Sequence, residues 1–258
     1  MFDAVILAGG GKDEPLTRQE GVANKAFIDL YGRPMLTHIL DALSGAASIG
    51  KVAVVGPEKE LAGLLEKGAR FVPVAEEGGM LENVAAGLKP VEQQRPALVL
   101  TADIPLISAA TIEGFLKLCA PFDGDFYYPI LSRESCLERF PQMKRTYVRL
   151  REGHFTGGNM ALLRPDWFVR SRHRLDLFVA FRKRPLRLFS ILPASFVFKF
   201  LFKRLTVGDL ESYLSEMLQA KASAVPCDLV EIGTDVDKIS DLEVVRQVLQ
   251  AKIAPPGN

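Results

Sequence analysis

The chain has 258 residues, enough for one large α/β domain or a domain carrying an insertion. Its net charge of +1 supplies no global field for nucleic acid, and its 48% hydrophobic content is too high for a disordered chain. Cys119, Cys136 and Cys227 are odd in number and lack metal-ligand spacing, as reduced thiols of a cytoplasmic protein would, and His38, His154 and His173 are too scattered for a histidine metal site. Met1-Phe2-Asp3 has no basic segment and leads directly into an apolar run, which reads as no secretory signal.

The first predicted strand, Val5–Ala8, stops in Gly9, Gly10 and Gly11, followed by Lys12. A strand ending in glycines delivers bare backbone N–H groups to one point, a nest suited to phosphate oxygens. Lysine a short loop later can add a point charge to the same phosphates. The plain alternative is a glycine-rich turn closing a βα unit. There is no G-x-x-x-x-G-K-[ST], which excludes a P-loop, and no G-x-G-x-x-G opening a helix, which excludes the dinucleotide fingerprint.

Pro34 to Ser44 reads as a helix, with Met35, Leu36, Ile39, Leu40 and Leu43 at helical spacing. Strands are expected at 51–56, 70–74 and 98–100, with a helix at 58–65. These continuous apolar runs are those of strands buried on both faces, so the pattern predicts an α/β three-layer sandwich with a mostly parallel central sheet. Ligands bind such sheets at the carboxyl ends of the strands. The glycine loop and Asp103, in Thr101-Ala102-Asp103-Ile104-Pro105-Leu106, both lie at such ends. A carboxylate there is held at a cleft floor, where Mg²⁺ takes oxygen ligands together with substrate phosphates. A lone Asp at a strand end also serves as a cap or turn former.

Residues 165–222 break this rhythm as a helical insert within a single domain spanning 1–258. A helix expected over 166–183 carries Arg170, Arg172, Arg174, Arg182 and Lys183. Arg184, Arg187 and a Phe-rich run follow, and from Leu177 to Gly208 there is no acidic residue. Thr206 to Ala220 is amphipathic, with Leu210, Tyr213, Leu214, Met217 and Leu218 on one stripe. The apolar run between Leu186 and Phe202 is too short and too broken to span a bilayer. Four uses fit the insert: a subdomain packing its own Phe residues, a lid over a phosphorylated substrate, a homodimer seam, or peripheral contact with an anionic membrane.

Leu7-Ala8-Gly9-Gly10, Asn24-Lys25-Ala26 and Gly32-Arg33-Pro34-Met35-Leu36 together resemble the signature of sugar-phosphate and molybdopterin nucleotidyltransferases. The branch this chain is most similar to is that of the molybdenum-cofactor guanylyl- and cytidylyltransferases. The resemblance covers most of the chain except the insert. It implies the nucleotide-diphospho-sugar transferase type of fold and a transfer of NMP from an NTP to a phosphorylated acceptor, with Mg²⁺ and with pyrophosphate released. It implies that Leu7 to Gly11 bind the triphosphate, that Lys25 neutralises its charge and that Asp103 holds the metal. Glu231 to Glu243 resembles the family's D-V-D-T-P-E-D-L. That register makes Asp237 the second metal ligand, with Asp235 as its neighbour alternative, and gives Asp241 a capping role. By the same carry-over Gly79 and Asn83 meet the nucleoside, although Glu76 to Leu88 also reads as an ordinary helix with acidic residues in its first turn. Gly158 and Asn159 meet the acceptor, although Gly157-Gly158-Asn159 also reads as a simple β-turn. The family's loop arginine is replaced here by Lys12-Asp13-Glu14, so Lys12 or Arg18 would take its place. Arg184 and Arg187 are the insert's candidates for an anionic acceptor. A nucleotide-sensing module without catalysis, or a membrane-peripheral protein acting through the insert, are the rival functions.

Overall fold

The computed structural model describes residues 1–10, 14–65, 70–182 and 194–253. The candidate site residues Gly11, Lys12, Arg184 and Arg187 lie outside the described residues.

The chain runs β1 (Phe2–Leu7), α1 (Pro15–Gln19), α2 (Met35–Gly45), β2 (Ile49–Gly56), α3 (Glu58–Leu64), β3 (Phe71–Ala75), α4 (Met80–Leu88), β4 (Ala97–Thr101) and α5 (Ala109–Leu118). It continues through β5 (Phe126–Ser132), α6 (Arg133–Arg139), β6 (Val148–Leu150), β7 (Gly153–Gly157) and β8 (Met160–Leu163). The last elements are α7 (Pro165–Arg182), α8 (Ala194–Leu201), α9 (Val207–Leu218), β9 (Ala222–Cys227) and α10 (Ile239–Ile253).

Strands β3, β2, β1 and β4 lie side by side and parallel, as their apolar runs predict. Ala4, Val5 and Ile6 of β1 are wholly buried. Ala4 and Ile6 pack on one face with α2, α5 and α10, while Val5 packs on the other with α4 and with Trp167 and Phe168 of α7. Helices therefore cover both faces of the sheet, giving the expected three layers.

The other half of the sheet is antiparallel at its junction. β8 pairs with β4 in the opposite sense, and β5 pairs antiparallel with both β7 and β8. β9 then returns parallel along residues 126–131 of β5. The sheet is thus mixed, with nine strands. β7 and β8 run in the same direction along β5, interrupted only at Gly158 and Asn159.

Candidate active site

β1 and β4 end at the same level, with Leu7 opposite Thr101 in register. The Ala102 amide donates to the Leu7 carbonyl and the Ala8 amide to Val55, so the chain leaves both strands into one cleft. That cleft, of about 380 Å³, is lined by Leu7 to Gly10, Asn24 to Ala26, Gly78 to Met80, Asn83 and Thr101 to Asp103. A Cβ on Gly9 would lie 2.6 Å from Glu76 Oε2 and 3.3 Å from Asn83 Nδ2, so a larger residue there would push those two side chains aside.

Lys25 opens a 3-10 turn, Lys25–Phe27, whose preceding residue is Asn24. Asn24 is buried, donates through Nδ2 to the Ala8 carbonyl at 2.6 Å, and accepts at Oδ1 from the Ala26 amide at 2.8 Å. One side chain therefore ties the lysine turn to the start of the glycine loop. Lys25 Nζ stands 2.7 Å from Asp237 Oδ1, 3.4 Å from Asp103 Oδ2 and 3.7 Å from Glu14 Oε2. Burial alone would lower the lysine pKa, but Asp103, Asp237 and Glu14 outweigh it and raise the value above the ordinary one.

The two carboxylates are themselves held. Thr101 Oγ1 donates to Asp103 Oδ1 at 2.5 Å. The Val236 amide donates to the Asp103 carbonyl at 2.9 Å, which brings the segment before α10 beside β4. Asp241 Oδ2 accepts from the Asp237 and Lys238 amides, fixing the start of α10 in the capping role expected of it. Asp237 is half-exposed; burial works against its ionised form, yet Lys25 holds its carboxyl below the usual range.

Asp235 lies in the same cluster. Burial, then the like charges of Asp103 and Asp237, push its carboxyl up to about 6, against the pull of Arg145. Arg145 Nη1 is 3.5 Å from Asp235 Oδ1, and its side chain is only 9% exposed. Crowded carboxylates without histidine or thiol are a hard-oxygen donor set of the kind that suits Mg²⁺ alongside phosphate oxygens. Among the described residues no group of three or more His, Cys, Asp or Glu is arranged to hold a metal by itself.

Asn83 lines the cleft but spends its carbonyl oxygen on the Glu77 amide at 2.7 Å, shaping the loop that carries Gly78 and Gly79. The Gly158 and Asn159 amides donate to the Pro129 and Ile232 carbonyls, and the Asn159 carbonyl accepts from the Thr101 amide. Of this pair only the Asn159 side chain is left to offer an acceptor. Arg18 is exposed on α1 and is not among the residues lining the cleft. Sequence reasoning passed over Asn24, Thr101 and Arg145 as site residues. Asn24 was visible as the residue before Lys25, and Thr101 as the hydroxyl two before Asp103. Nothing local marks Arg145.

The profile of the MobA-like NTP transferase domain matches residues 4–169. The chain belongs to that family. The matched span contains the glycine loop, Lys25, Asp103 and Asn159, and ends before Asp237. A bifunctional protein GlmU from Paramagnetospirillum magneticum is 36% identical over 114 residues, which are 44% of this chain and 25% of that protein. The chain spans about a quarter of the length of the curated relatives it matches. A hypothetical transferase from Thermus thermophilus is similar at 36% identity and a TM-score of 0.81, over 94% of this chain and all of that one. A 4-diphosphocytidyl-2C-methyl-D-erythritol synthase from Anaerococcus prevotii shares the fold, at 15% identity and a TM-score of 0.59, over 97% of this chain and 96% of the other.

Proposed function

We propose that this member of the family is a nucleotidyltransferase that moves an NMP from an NTP to a phosphorylated acceptor. An acceptor phosphate oxygen attacks the α-phosphorus, the bond from the α-phosphorus to the bridging oxygen breaks, and pyrophosphate leaves. The observation that carries this reading is the meeting of Lys25 with Asp103 and Asp237 at the mouth of the glycine loop. Such chemistry asks the protein mainly for positioning and charge neutralisation.

Gly9 and Gly10, with Gly11 and Lys12 beyond the described residues, would receive the triphosphate. Gly79 and Asn83 would border the nucleoside. Lys25 would turn from its carboxylate partners to the phosphates and offset the charge that develops on them. Asp103 and Asp237 would hold Mg²⁺, which supplies Lewis-acid polarisation of the α-phosphate. Asn159 would meet the acceptor with its side-chain amide, and Arg184 and Arg187 its anionic part. Arg18 does not line the cleft, and Lys12 lies outside the described residues; either could take the place of the loop arginine. Pyrophosphate release, measured across a panel of NTPs and sugar, polyol and cofactor phosphates with Mg²⁺, tests the reading. No release with any pair would leave nucleotide binding without catalysis.

A second reading concerns where the protein works. Phe198, Leu201 and Phe202 are 60%, 66% and 67% exposed at the end of α8, beside Lys203 and Arg204. We infer peripheral contact of this face with anionic membranes, consistent with the fact that no helix among the described residues is long and apolar enough to cross one. Sedimentation with anionic liposomes should then be strong at low salt and weak at high salt. A salt-independent dimer in sedimentation velocity would give the face to a second copy instead.

A further inference from the structure

A second concavity, of about 470 Å³, opens where α6, the chain between α6 and β6, and β7 meet. Arg133, Lys144, Arg145, Tyr147 and His154 line it, and no carboxylate does. Among the described residues Arg133, Lys144 and His154 have no acidic partner, whereas most other charged side chains near the site are paired. The Tyr147 hydroxyl is buried beside the Cys136 thiol on the same wall. Positive charge gathered on a concave wall without carboxylates raises the local concentration of anions there.

Arg145 joins this concavity to the proposed reaction centre. It lines the basic wall, yet its guanidinium reaches the carboxylate cluster through Asp235. Gly233 leaves room for it: a Cβ there would lie 2.9 Å from Arg145 Nη1 and 2.5 Å from Leu131 Cδ1, so both side chains would have to shift. A negative cluster and a positive pocket are thus adjacent and share one arginine. A ligand with two separated anionic groups would find its place and its direction in that field.

We propose that the concavity is a phosphate subsite, which holds a second phosphate group of the acceptor while the reacting phosphate lies at Asp103 and Asp237. The role of the ligand as acceptor rests on the nucleotidyl-transfer reading; the binding of phosphate does not. Arg133 and Lys144 reach the group from solvent, and Arg145 offers it a planar pair of donors from below. The subsite selects acceptors with a phosphomonoester or phosphodiester remote from the reacting end over singly phosphorylated ones.

The test uses the full chain and inorganic phosphate. The protein has three histidines, so the imidazole resonances of His154 are readily separated by substitution of His38 and His173. Phosphate, titrated against sodium chloride at matched ionic strength, should shift His154 saturably and leave His38 and His173 unmoved. The Arg133→Ala, Lys144→Ala double variant changes two exposed side chains and should keep the fold, with phosphate affinity at His154 falling about tenfold or more. A His154 response no larger than that to chloride, or an unchanged affinity in the double variant, overturns the proposal. The readout needs no turnover, so a saturable His154 response from a protein without transferase activity would sink the transferase reading and support the subsite.

Discussion

Asp235→Asn should make the metal-free protein more stable while weakening its use of divalent cations. The Asp235 carboxyl is pushed up to about 6 from an ordinary 3.8. At roughly 1.4 kcal/mol per pH unit, ionising it inside the fold costs about 3 kcal/mol. That cost is already net of the attraction to Arg145, so the gain at pH 8 is up to about 3 kcal/mol. For a chain of this size that is roughly 2–4 °C of melting temperature per kcal/mol. The pH dependence fixes the sign. An acid whose pKa is raised on folding binds its proton more tightly in the folded state, so stability falls as pH rises from 3.8 to about 6 and then levels off. Asn carries no such proton. Thermal melts in EDTA should therefore show the variant well above the wild type at pH 8 and level with it at pH 3.5 to 4. Added Mg²⁺ should raise the wild-type melting temperature more than the variant's. A variant that melts below the wild type at pH 8 in EDTA would mean that the Arg145 pair outweighs the crowding, and the reasoning would be wrong.

Lys25→Ala should slow pyrophosphate release on the order of a hundredfold or more, since one charge beside the developing negative charge is lost; wild-type kinetics would move that role to Lys12. Asp103→Asn should keep its far-UV circular dichroism and lose Mg²⁺-dependent turnover, and activity with unchanged Mg²⁺ dependence would remove Asp103 from the metal. Asn24→Ala abandons a buried carbonyl and a buried amide, each worth about 1–3 kcal/mol, so its melting temperature should fall and its triphosphate affinity with it. A variant as stable as the wild type would show that the Lys25 turn holds itself.

The parallel half of the fold was legible because its strands are buried on both faces. Val52 to Val55 and Ala97 to Leu100 are unbroken apolar runs, and each is followed by a turn or helix signal. The strands β5 to β9 carry mixed patterns: Phe126-Tyr127-Tyr128-Pro129 alternates only weakly, and β7 has glycine at both ends. Their pairing is decided by partners far away in sequence, such as Ala222 with Phe126, which no local period reports. The glycine loop, Lys25 and Asp103 could be read because each follows directly from a strand end or a motif. Asp237 needed the resemblance, because two acidic residues two positions apart are equivalent until the fold turns one to Lys25 and the other to Arg145. Arg145 had no signal of its own; the nearest trace is Gly233, beside which both Leu131 and Arg145 pass.

Charge balance at the cleft ties these residues together. Glu14, Asp103, Asp235 and Asp237 stand against Lys25 and Arg145. With every carboxylate ionised the cluster is short of positive charge by two, and Asp235 bears the deficit by resisting ionisation. A divalent cation bound there would cancel that deficit. It would also release Lys25, which now donates to Asp103 and Asp237, toward an incoming triphosphate. The same cluster can thus be balanced by a lysine when empty and by a metal with its nucleotide when loaded. This exchange requires Lys25 to stay near both carboxylates, which is what Asn24 secures by fastening the lysine turn to the carbonyl of Ala8. The glycine loop, the lysine and the two carboxylates are therefore one device, and cutting the Asn24 tether should loosen all three.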